Sequence, residues 1–353
     1  MSEVSRKRFE VHLTSPIRSR RLLFPLTPLY RLALALREFR LRSGIEPIRR
    51  LRFPVVSIGN LSAGGSGKTP LTIALAKLLT ARGFRADVLS RGYGRKSQLA
   101  ARVDPEGTAE DFGDEPLLIA RETGLPVYVA PQRYDAGILA ESDTQQTSRE
   151  DHSRKIHVLD DGFQHRQLVR DVDILLLDRR DWQDCLLPAG NLREPFKAAH
   201  RASVIAIPAS EPEFESELRT WGWQGPVWRL RRSMEVPNVD GPVAAFCGIA
   251  RPEQFFVGLE AAGLRLAART VFSDHHRYTA AEIDRLATAA RTAQAAALVT
   301  TDKDRVRLGG LASTLPASSP LLTARLTIEI EDQAAAIDWL LSRLGFASAH
   351  PPL

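Results

Sequence analysis

The chain has 353 residues, 44% of them apolar and 25% charged, with a net charge of +6 and two cysteines. That is enough for about two domains with cores of their own, while Cys185 and Cys247, far apart and in no metal-ligand spacing, argue for a reducing compartment and against a disulfide scaffold or zinc site. The basic excess sits in residues 1–52, which hold thirteen Lys/Arg against four Asp/Glu, so the rest of the chain is slightly acidic and a nucleic-acid-binding enzyme is disfavoured.

In that basic segment Thr27-Pro28 reads as an N-cap followed by proline at the first helical position. Leu29, Leu32, Ala33, Leu36 and Phe39 then share one helical face, with Arg31 and Arg42 roughly opposite and Leu34, Arg40 and Leu41 blurring the division. The apolar stretch is too short, and too interrupted by Pro25, Pro28 and Arg31, to span a bilayer. The pattern predicts an interfacial helix with leucines at the acyl boundary and arginines on anionic headgroups. A helix packed on the protein's own core and an Arg-rich cleavable transit segment are the competing readings.

An apolar strand, Phe53 to Ile58, leads into Gly59-Asn60-Leu61-Ser62-Ala63-Gly64-Gly65-Ser66-Gly67-Lys68-Thr69-Pro70, and a helical pattern of Leu71, Leu75, Leu78 and Leu79 follows. Strand, glycine-rich loop, Gly-Lys-Thr and helix make a phosphate-binding P-loop unit. Backbone N–H groups from Ser62, Ala63, Gly64, Gly65, Ser66 and Gly67 would curl around a polyphosphate at a helix N-terminus. Lys68 would reach the β- and γ-phosphates and Thr69 would ligate Mg²⁺. Ser62 stands where the general pattern has its first glycine.

A second strand, Ala86 to Leu89, runs into Ser90-Arg91-Gly92-Tyr93-Gly94-Arg95, a basic loop at a strand's C-terminal end, where open α/β sheets bind ligands. Arg91 suits phosphate and Tyr93 offers a flat face to a sugar. Asp114, in Gly113-Asp114-Glu115-Pro116, reads locally as a helix cap. A short strand ends before Arg133, and the polar stretch 141–155 reads as a surface loop. Ile156 to Leu159 then enters Asp160-Asp161-Gly162-Phe163-Gln164-His165, an apolar strand ending in aspartate, as a P-loop enzyme uses to hold Mg²⁺. Asp178, after the strand 173–177, is a rival for that role. In Leu186-Leu187-Pro188-Ala189-Gly190-Asn191-Leu192-Arg193-Glu194-Pro195, Arg193 suits transferred phosphoryl charge and Glu194 suits a metal. The last third reads as strands at 242–250, 265–272, 297–300 and 321–330 with helices at 252–262, 279–295 and 331–344, and Lys303 stands at a strand's C-terminal end as a possible phosphate contact.

Taken in order, Gly-Asn-Leu-Ser-x-Gly-Gly-Ser-Gly-Lys-Thr-Pro, Ser-Arg-Gly-Tyr-Gly-Arg, Gly-Asp-Glu-Pro, Leu-Asp-Asp-Gly-Phe-Gln-His, Leu-Pro-x-Gly-x-Leu-Arg-Glu-Pro and Asp-His-His resemble the tetraacyldisaccharide 4′-kinase family, the lipid A 4′-kinases of Gram-negative bacteria. The resemblance covers about residues 15–345, and the family's pattern accepts a hydroxyl residue at position 62. It implies transfer of the γ-phosphate of ATP, with Mg²⁺, to the 4′-hydroxyl of tetraacyldisaccharide 1-phosphate at the cytoplasmic face of the inner membrane, with no nucleic acid and no obligate protein partner. It also implies catalytic roles for Asp114, paired with His275, and for Lys68. Thr69, Asp160, Asp161 and Glu194 would serve the metal and nucleotide phosphates. Arg91, Tyr93, Arg133, Gln164 and Arg193 would serve the acceptor headgroup or the transferred phosphate.

The expected architecture is α/β: a P-loop NTPase-type, doubly wound, mostly parallel sheet with a second, smaller α/β domain and an N-terminal amphipathic helix. The expected divisions are a membrane-associating segment at 1–52, a kinase core at 53–226, a linker at 227–240 and a C-terminal domain at 241–353. The rival functions are a switch GTPase or metallochaperone-like ATPase, for which Thr301-Asp302-Lys303-Asp304 is only a partial guanine-reading echo, and a non-enzymatic ATP-binding protein, which has no need of Asp114 or His275.

Overall fold

The computed structural model describes residues 21–144, 154–317 and 319–346. Most of the basic segment before Leu22, and the part of the polar loop at 145–153, lie outside the described residues. In chain order the elements are α1 (Thr27–Arg42), β1 (Val55–Asn60), α2 (Lys68–Ala81), β2 (Arg85–Ser90), β3 (Ala101–Arg102), α3 (Ala109–Phe112), α4 (Asp114–Thr123), β4 (Val127–Val129), α5 (Arg133–Thr144), β5 (Lys155–Asp160), β6 (Val172–Leu176) and α6 (Arg179–Gln183). There follow β7 (Val204–Pro208), α7 (Pro212–Thr220), β8 (Val227–Glu235), β9 (Val243–Cys247), α8 (Pro252–Ala261), β10 (Leu266–Val271), α9 (Ala280–Thr292), β11 (Ala297–Thr301), α10 (Asp302–Leu308), β12 (Leu321–Ile330) and α11 (Gln333–Arg343).

The strands form one sheet in the order β10-β9-β11-β12-β8-β7-β6-β1-β5-β2-β4-β3. Every neighbouring pair is parallel except β3–β4 and β8–β12. Strands covered by helices on both faces need side chains that are apolar in both directions. Accordingly every residue of β1, β5, β6 and β7 is buried. The sheet is mostly parallel and its P-loop half is the expected doubly wound α/β arrangement.

The stretch 227–240, read from sequence as a linker, carries β8, which pairs in parallel with β7 and antiparallel with β12. Its alternation of buried Trp228 and Leu230 with exposed Arg229 and Arg231 is the period of a strand whose faces differ. The sheet thus passes without interruption from the P-loop half to the C-terminal third.

The α1 helix begins at Thr27 itself, with Leu26 at the cap position and no side-chain cap, one residue earlier than the Thr-Pro pattern suggests. It docks through the residues that blur its sequence pattern. Leu41 is buried and Leu34 packs on the core beside Tyr30. The Tyr30 hydroxyl donates to the Arg193 carbonyl at 2.9 Å, Arg37 donates to the Gln164 carbonyl, and Glu38 pairs with Arg166. The leucine face is turned outward: Leu29, Leu32, Leu36 and Phe39 are 55–65% exposed. No helix among the described residues is long and apolar enough to cross a membrane.

Beneath the sheet's first half, Asp87 of β2 lies between Lys155 (2.6 Å) and His157 (2.6 Å) of β5, with Glu141 3.6 Å from the other ring nitrogen. Burial would lower the His157 imidazole, but Asp87 and Glu141 outweigh it and push it up to about 9. Burial likewise disfavours the Asp87 carboxylate, and His157 and Lys155 reverse that and hold it below the ordinary range. His157 therefore contributes stability that is complete below its unfolded value of about 6.5 and lost as pH rises through about 9. Asp87 contributes stability present above about 3.8 and lost as pH falls through its lowered value. The thermal midpoint should decline between about pH 6.5 and 9, and His157→Gln should cost about 3 kcal/mol at the acid end of that window and flatten the decline. Thermal melts of both proteins between about pH 6 and 10 check this, and a wild-type midpoint that stays level over that range would contradict it.

Candidate active site

Parallel strands deliver their following loops to one edge of the sheet, so the segments after β1, β2 and β5 converge there. The phosphate loop follows β1. Asn60, the buried last residue of β1, donates from Nδ2 to the Ser62 carbonyl at 2.7 Å and accepts from Lys68 Nζ at 2.9 Å. Gly67 sits at φ +93°, the left-handed conformation that starts α2, and a Cβ there would lie 2.9 Å from Ile328 Cδ1 of β12. The loop is clipped to the 186–195 segment, since Ala63 N–H donates to Asn191 O and Arg193 N–H to Leu61 O, both at 2.7 Å. From β8, Arg232 donates to the Ser66 carbonyl at 2.7 Å. The Ser66 hydroxyl and Arg232 Nε are buried with no hydrogen-bond partner among the described residues.

Asp160 ends β5 beside Ile58 of β1, and Asp161 follows at φ +48°. Their surroundings differ in kind. Asp160 is 1% exposed, with the hydroxyls of Thr72 and Ser90 at 3.1 and 3.5 Å. Burial, with Glu115 and Asp161 nearby, pushes its carboxyl up. Asp161 accepts both arms of the Arg193 fork at 2.9 Å and lies 3.7 Å from Lys68 Nζ. Burial opposes its ionisation, but Lys68 and Arg193 outweigh it and hold the carboxyl well below the ordinary range. Thus the aspartates, equivalent in sequence, are separated by what faces them. The rival Asp178 caps α6 and pairs with Arg180 and Arg251.

Glu194 is not brought to this cluster. It pairs with Arg201 at 2.6 Å while its neighbour Arg193 reaches Asp161. Thr69, Asp160 and Asp161 line one cavity and Glu194 does not. Among the described residues no group of three or more His, Cys, Asp or Glu side chains is gathered as a ready-made metal cage. The donor set that does converge, one hydroxyl and two carboxylates, is all oxygen and fits a hard divalent cation that takes its remaining ligands from phosphate and water.

Asp114 and His275, 161 residues apart, meet at 3.1 Å between Oδ2 and Nδ1. Asp114 is the first residue of α4 and not its cap: Gly113 holds the cap position with no side-chain cap, and Asp114 Oδ1 accepts from the adjacent Glu115 N–H at 3.0 Å. His275 sits at φ +56° in the loop after β10, with its ring centroid 5.1 Å from that of Tyr93. A partner absent from the sequence reading is Arg307 of α10, whose Nε and Nη2 lie 2.6 and 2.5 Å from the same Asp114 Oδ2. Burial would raise the Asp114 carboxyl, but the His275 hydrogen bond and the Arg307 charge reverse this and hold it well below the ordinary range. Lys303, also from α10, pairs with Glu115. Asn60 and Glu115 lie within the sequence motifs but have no role assigned from sequence, and Arg307 lies outside every motif; each gains its meaning from a residue brought in by the fold.

One cavity of about 1130 Å³ joins these parts. Its wall includes the phosphate loop, Asp160, Asp161, Lys303 and His275, and also Arg91, Tyr93, Arg133, Gln164 and Arg193. Arg37 of α1 lines the same space. Arg133 is 8% exposed, and burial pushes its guanidinium down to about 10. Burial, then Arg133 and Arg170, push His165 beside it down to about 3, so its imidazole is neutral. Gln164 Nε2 donates to the Asn60 carbonyl at 3.0 Å. The basic groups make this end of the cavity complementary to a phosphorylated ligand.

Gly67→Ala should reduce ATP affinity at least about tenfold, since a Cβ at positive φ costs on the order of 1–3 kcal/mol and this one would press on Ile328. Titration with a fluorescent ATP analogue checks it, and an unchanged dissociation constant would show that the loop conformation at Gly67 is not what holds the nucleotide.

The family model for Tetraacyldisaccharide-1-P 4′-kinase matches residues 19–345. The chain is 40% identical over 328 residues to a Tetraacyldisaccharide 4′-kinase of Koribacter versatilis, covering 90% of this chain and 97% of that one. It is 35% identical over 343 residues to a Tetraacyldisaccharide 4′-kinase of Rhodopseudomonas palustris, covering 94% and 95%. Among solved structures, an "apo" form of LpxK from Aquifex aeolicus in complex with ATP superposes with a TM-score of 0.70 at 31% identity, over 92% of this chain and 99% of that one. With the phosphate loop, the aspartates after β5 and the Asp114–His275 contact all inside the matched region, the chain belongs to the tetraacyldisaccharide 4′-kinase family.

Proposed function

We propose that phosphoryl transfer takes place in the cavity between the phosphate loop and the loop carrying His275. The protein is an ATP-dependent kinase that phosphorylates the 4′-hydroxyl of tetraacyldisaccharide 1-phosphate, a lipid A precursor. The observation that carries the site assignment is the convergence of Lys68, Asp161 and His275 on one cavity wall, although they come from three distant segments. In this reading the phosphate loop and Lys68 hold the ATP phosphates. Buried, unpartnered donors beside the loop, Ser66 Oγ and Arg232 Nε, suit an anionic ligand. Thr69, Asp160 and Asp161 would hold Mg²⁺, which neutralises phosphate charge when bound.

The acceptor hydroxyl oxygen bonds to the γ-phosphorus as the bond to the β–γ bridging oxygen breaks, and ADP leaves with that oxygen. The hydroxyl proton passes to the Asp114–His275 pair. His275 is the member of the pair on the cavity wall, while Asp114 has one oxygen on the Glu115 N–H and the other shared by His275 and Arg307. Arg193, held beside the phosphate loop by Asp161, would meet developing phosphoryl charge. Arg91, Arg133, Gln164 and Tyr93 would receive the acceptor headgroup and its existing phosphate.

The outward leucine face of α1 supports placing the protein at a membrane surface, on the cytoplasmic face of the inner membrane. Exposed Leu29, Leu32, Leu36 and Phe39 form an apolar stripe on a helix that also carries arginines, and exposed Leu22 and Phe24 lie in the 3-10 segment just before it. Such a stripe binds the interface of a bilayer that contains the acceptor. Residues 241–353 would act as a second domain closing over the nucleotide, with the β8–β12 pair as its seam.

Two measurements test these readings. The first is transfer of label from γ-labelled ATP with Mg²⁺ to tetraacyldisaccharide 1-phosphate in detergent. Wild type should yield labelled bis-phosphorylated lipid, and Asp114→Ala and Lys68→Ala should each lose at least about a hundredfold in rate. Absence of lipid product from protein that binds ATP would refute the acceptor assignment. The second is cosedimentation with vesicles containing anionic phosphatidylglycerol, in which replacing Leu29, Leu32, Leu36 and Phe39 together by serine should abolish binding and leave ATP affinity unchanged. Full retention on vesicles would remove α1 as the membrane contact.

A further inference from the structure

We propose that Arg307 is a positioning residue for the phosphoryl transfer: its guanidinium fixes the Asp114–His275 pair at the cavity wall and neutralises the Asp114 carboxylate. The proposal rests on the reading of that pair as the proton acceptor, and it assigns a function to a residue outside every sequence motif.

The geometry is a single guanidinium serving four partners. Nε and Nη2 meet Asp114 Oδ2 at 2.6 and 2.5 Å. Nη1 donates to the Gly248 carbonyl at 2.5 Å and to Asp304 Oδ1 at 3.0 Å. Nη2 also lies 3.3 Å from His275 Nδ1. The anchor behind it is rigid. Asp304 is 0% exposed and accepts from the Gly248 N–H at 3.1 Å, from the Tyr278 hydroxyl at 2.9 Å and from the Thr301 hydroxyl at 2.6 Å. Arg307 thus joins the end of β9, the loop that carries His275, and the start of α4. The His275 N–H also donates to the Gly248 carbonyl at 3.2 Å and Lys303 pairs with Glu115, but the planar five-donor fork of Arg307 is the side chain that bonds Asp114, Gly248 and Asp304 at once.

Its charge matters as much as its shape. Asp114 is faced by His275 and Arg307 in contact, by Lys303 beyond them, and by its neighbour Glu115, which Lys303 pairs. His275 is faced by Asp114, by Arg307 and by Asp274, whose Oδ2 is 4.0 Å from Nε2. The Asp114 hydrogen bond raises the imidazole, burial opposes it, and Arg307 limits the rise. Without the guanidinium the buried carboxylate would have His275 as its one contacting cation, and the pair would hold a proton to higher pH instead of accepting one.

The test is kcat against pH for wild type, Arg307→Gln and Arg307→Lys, with ATP affinity as the check on folding. Arg307→Gln should lose at least about tenfold in kcat near neutrality at little-changed KM for ATP. Its acidic limb should move up by about one pH unit, because one positive charge in contact with the pair is gone. Arg307→Lys keeps a charge without the fork, so its limb should stay near wild type while kcat is only partly restored. A merely structural arginine would lower activity equally at all pH values, and an unmoved limb in Arg307→Gln would overturn the proposal. If Arg307→Gln does not bind ATP, Arg307→Lys decides: kcat lowered with unchanged ATP affinity supports the positioning role, and wild-type kcat overturns it. Asp114→Asn and His275→Ala run alongside separate the two levels. If those two retain wild-type activity, the reading of the pair fails; if they are inactive while Arg307→Gln behaves as wild type, only the role of Arg307 fails.

Discussion

The arrangement depends on one electrostatic constraint: ionisable groups withdrawn from water at the edge of the sheet either meet an opposite charge, as Asp161 and Asp114 do, or are pushed toward the neutral form, as Asp160 is. Lys68, Asp161 and Arg193 alternate in sign along one line, and Arg307, Asp114 and His275 form a second group a short way off. A carboxylate or ammonium buried alone costs several kcal/mol. The segments that supply these side chains are therefore held in register by their charges as well as by the sheet. The same alternation leaves the site prepared for a substrate that is itself highly charged, since each internal pair can exchange a protein partner for a phosphate or a cation.

The halves of the chain are joined at that edge. Because β8 pairs with both β7 and β12, the C-terminal third is in continuous hydrogen-bonded contact with the P-loop half. Ile328 of β12 and Arg232 of β8 press on the phosphate loop, while α10 and the loop after β10 reach α4. The phosphate loop is thus shaped by residues more than 160 positions away. The α1 helix has two attachments of the same kind. Its Tyr30 and Arg37 bond to the carbonyls of Arg193 and Gln164, two residues of the cavity wall, and among the described residues its opposite face is exposed. An exposed apolar surface and the wall of the cavity are thereby tied to each other.

Local signals carried much of this. The P-loop was legible because its strand, glycines and Lys-Thr are contiguous, and a parallel strand buried on both faces has to be an unbroken apolar run. The helices at 252–262 and 279–295 were legible from their period, and the Thr279–Glu282 capping box marks the start of the second. The stretch at 227–240, expected as a linker between domains, carries the paired strand β8. Its pairing partner, β12, lies about a hundred residues away, and no local pattern reveals it.

What the sequence alone determined is the chemistry available: a phosphate-gripping loop, paired aspartates after an apolar strand, basic residues in glycine-rich turns, and an ordered set of motifs that resembles one family. Those are properties of neighbouring residues, and short-range sterics and polarity express them wherever the chain folds. Only the tertiary structure decided that Asp160 is enclosed by hydroxyls while Asp161 faces Lys68 and Arg193, that Glu194 turns to Arg201, and that Arg307 completes the Asp114–His275 contact. Those outcomes depend on which charges approach within a few ångströms in a medium that screens them poorly, and that is fixed by contacts between residues distant in the chain.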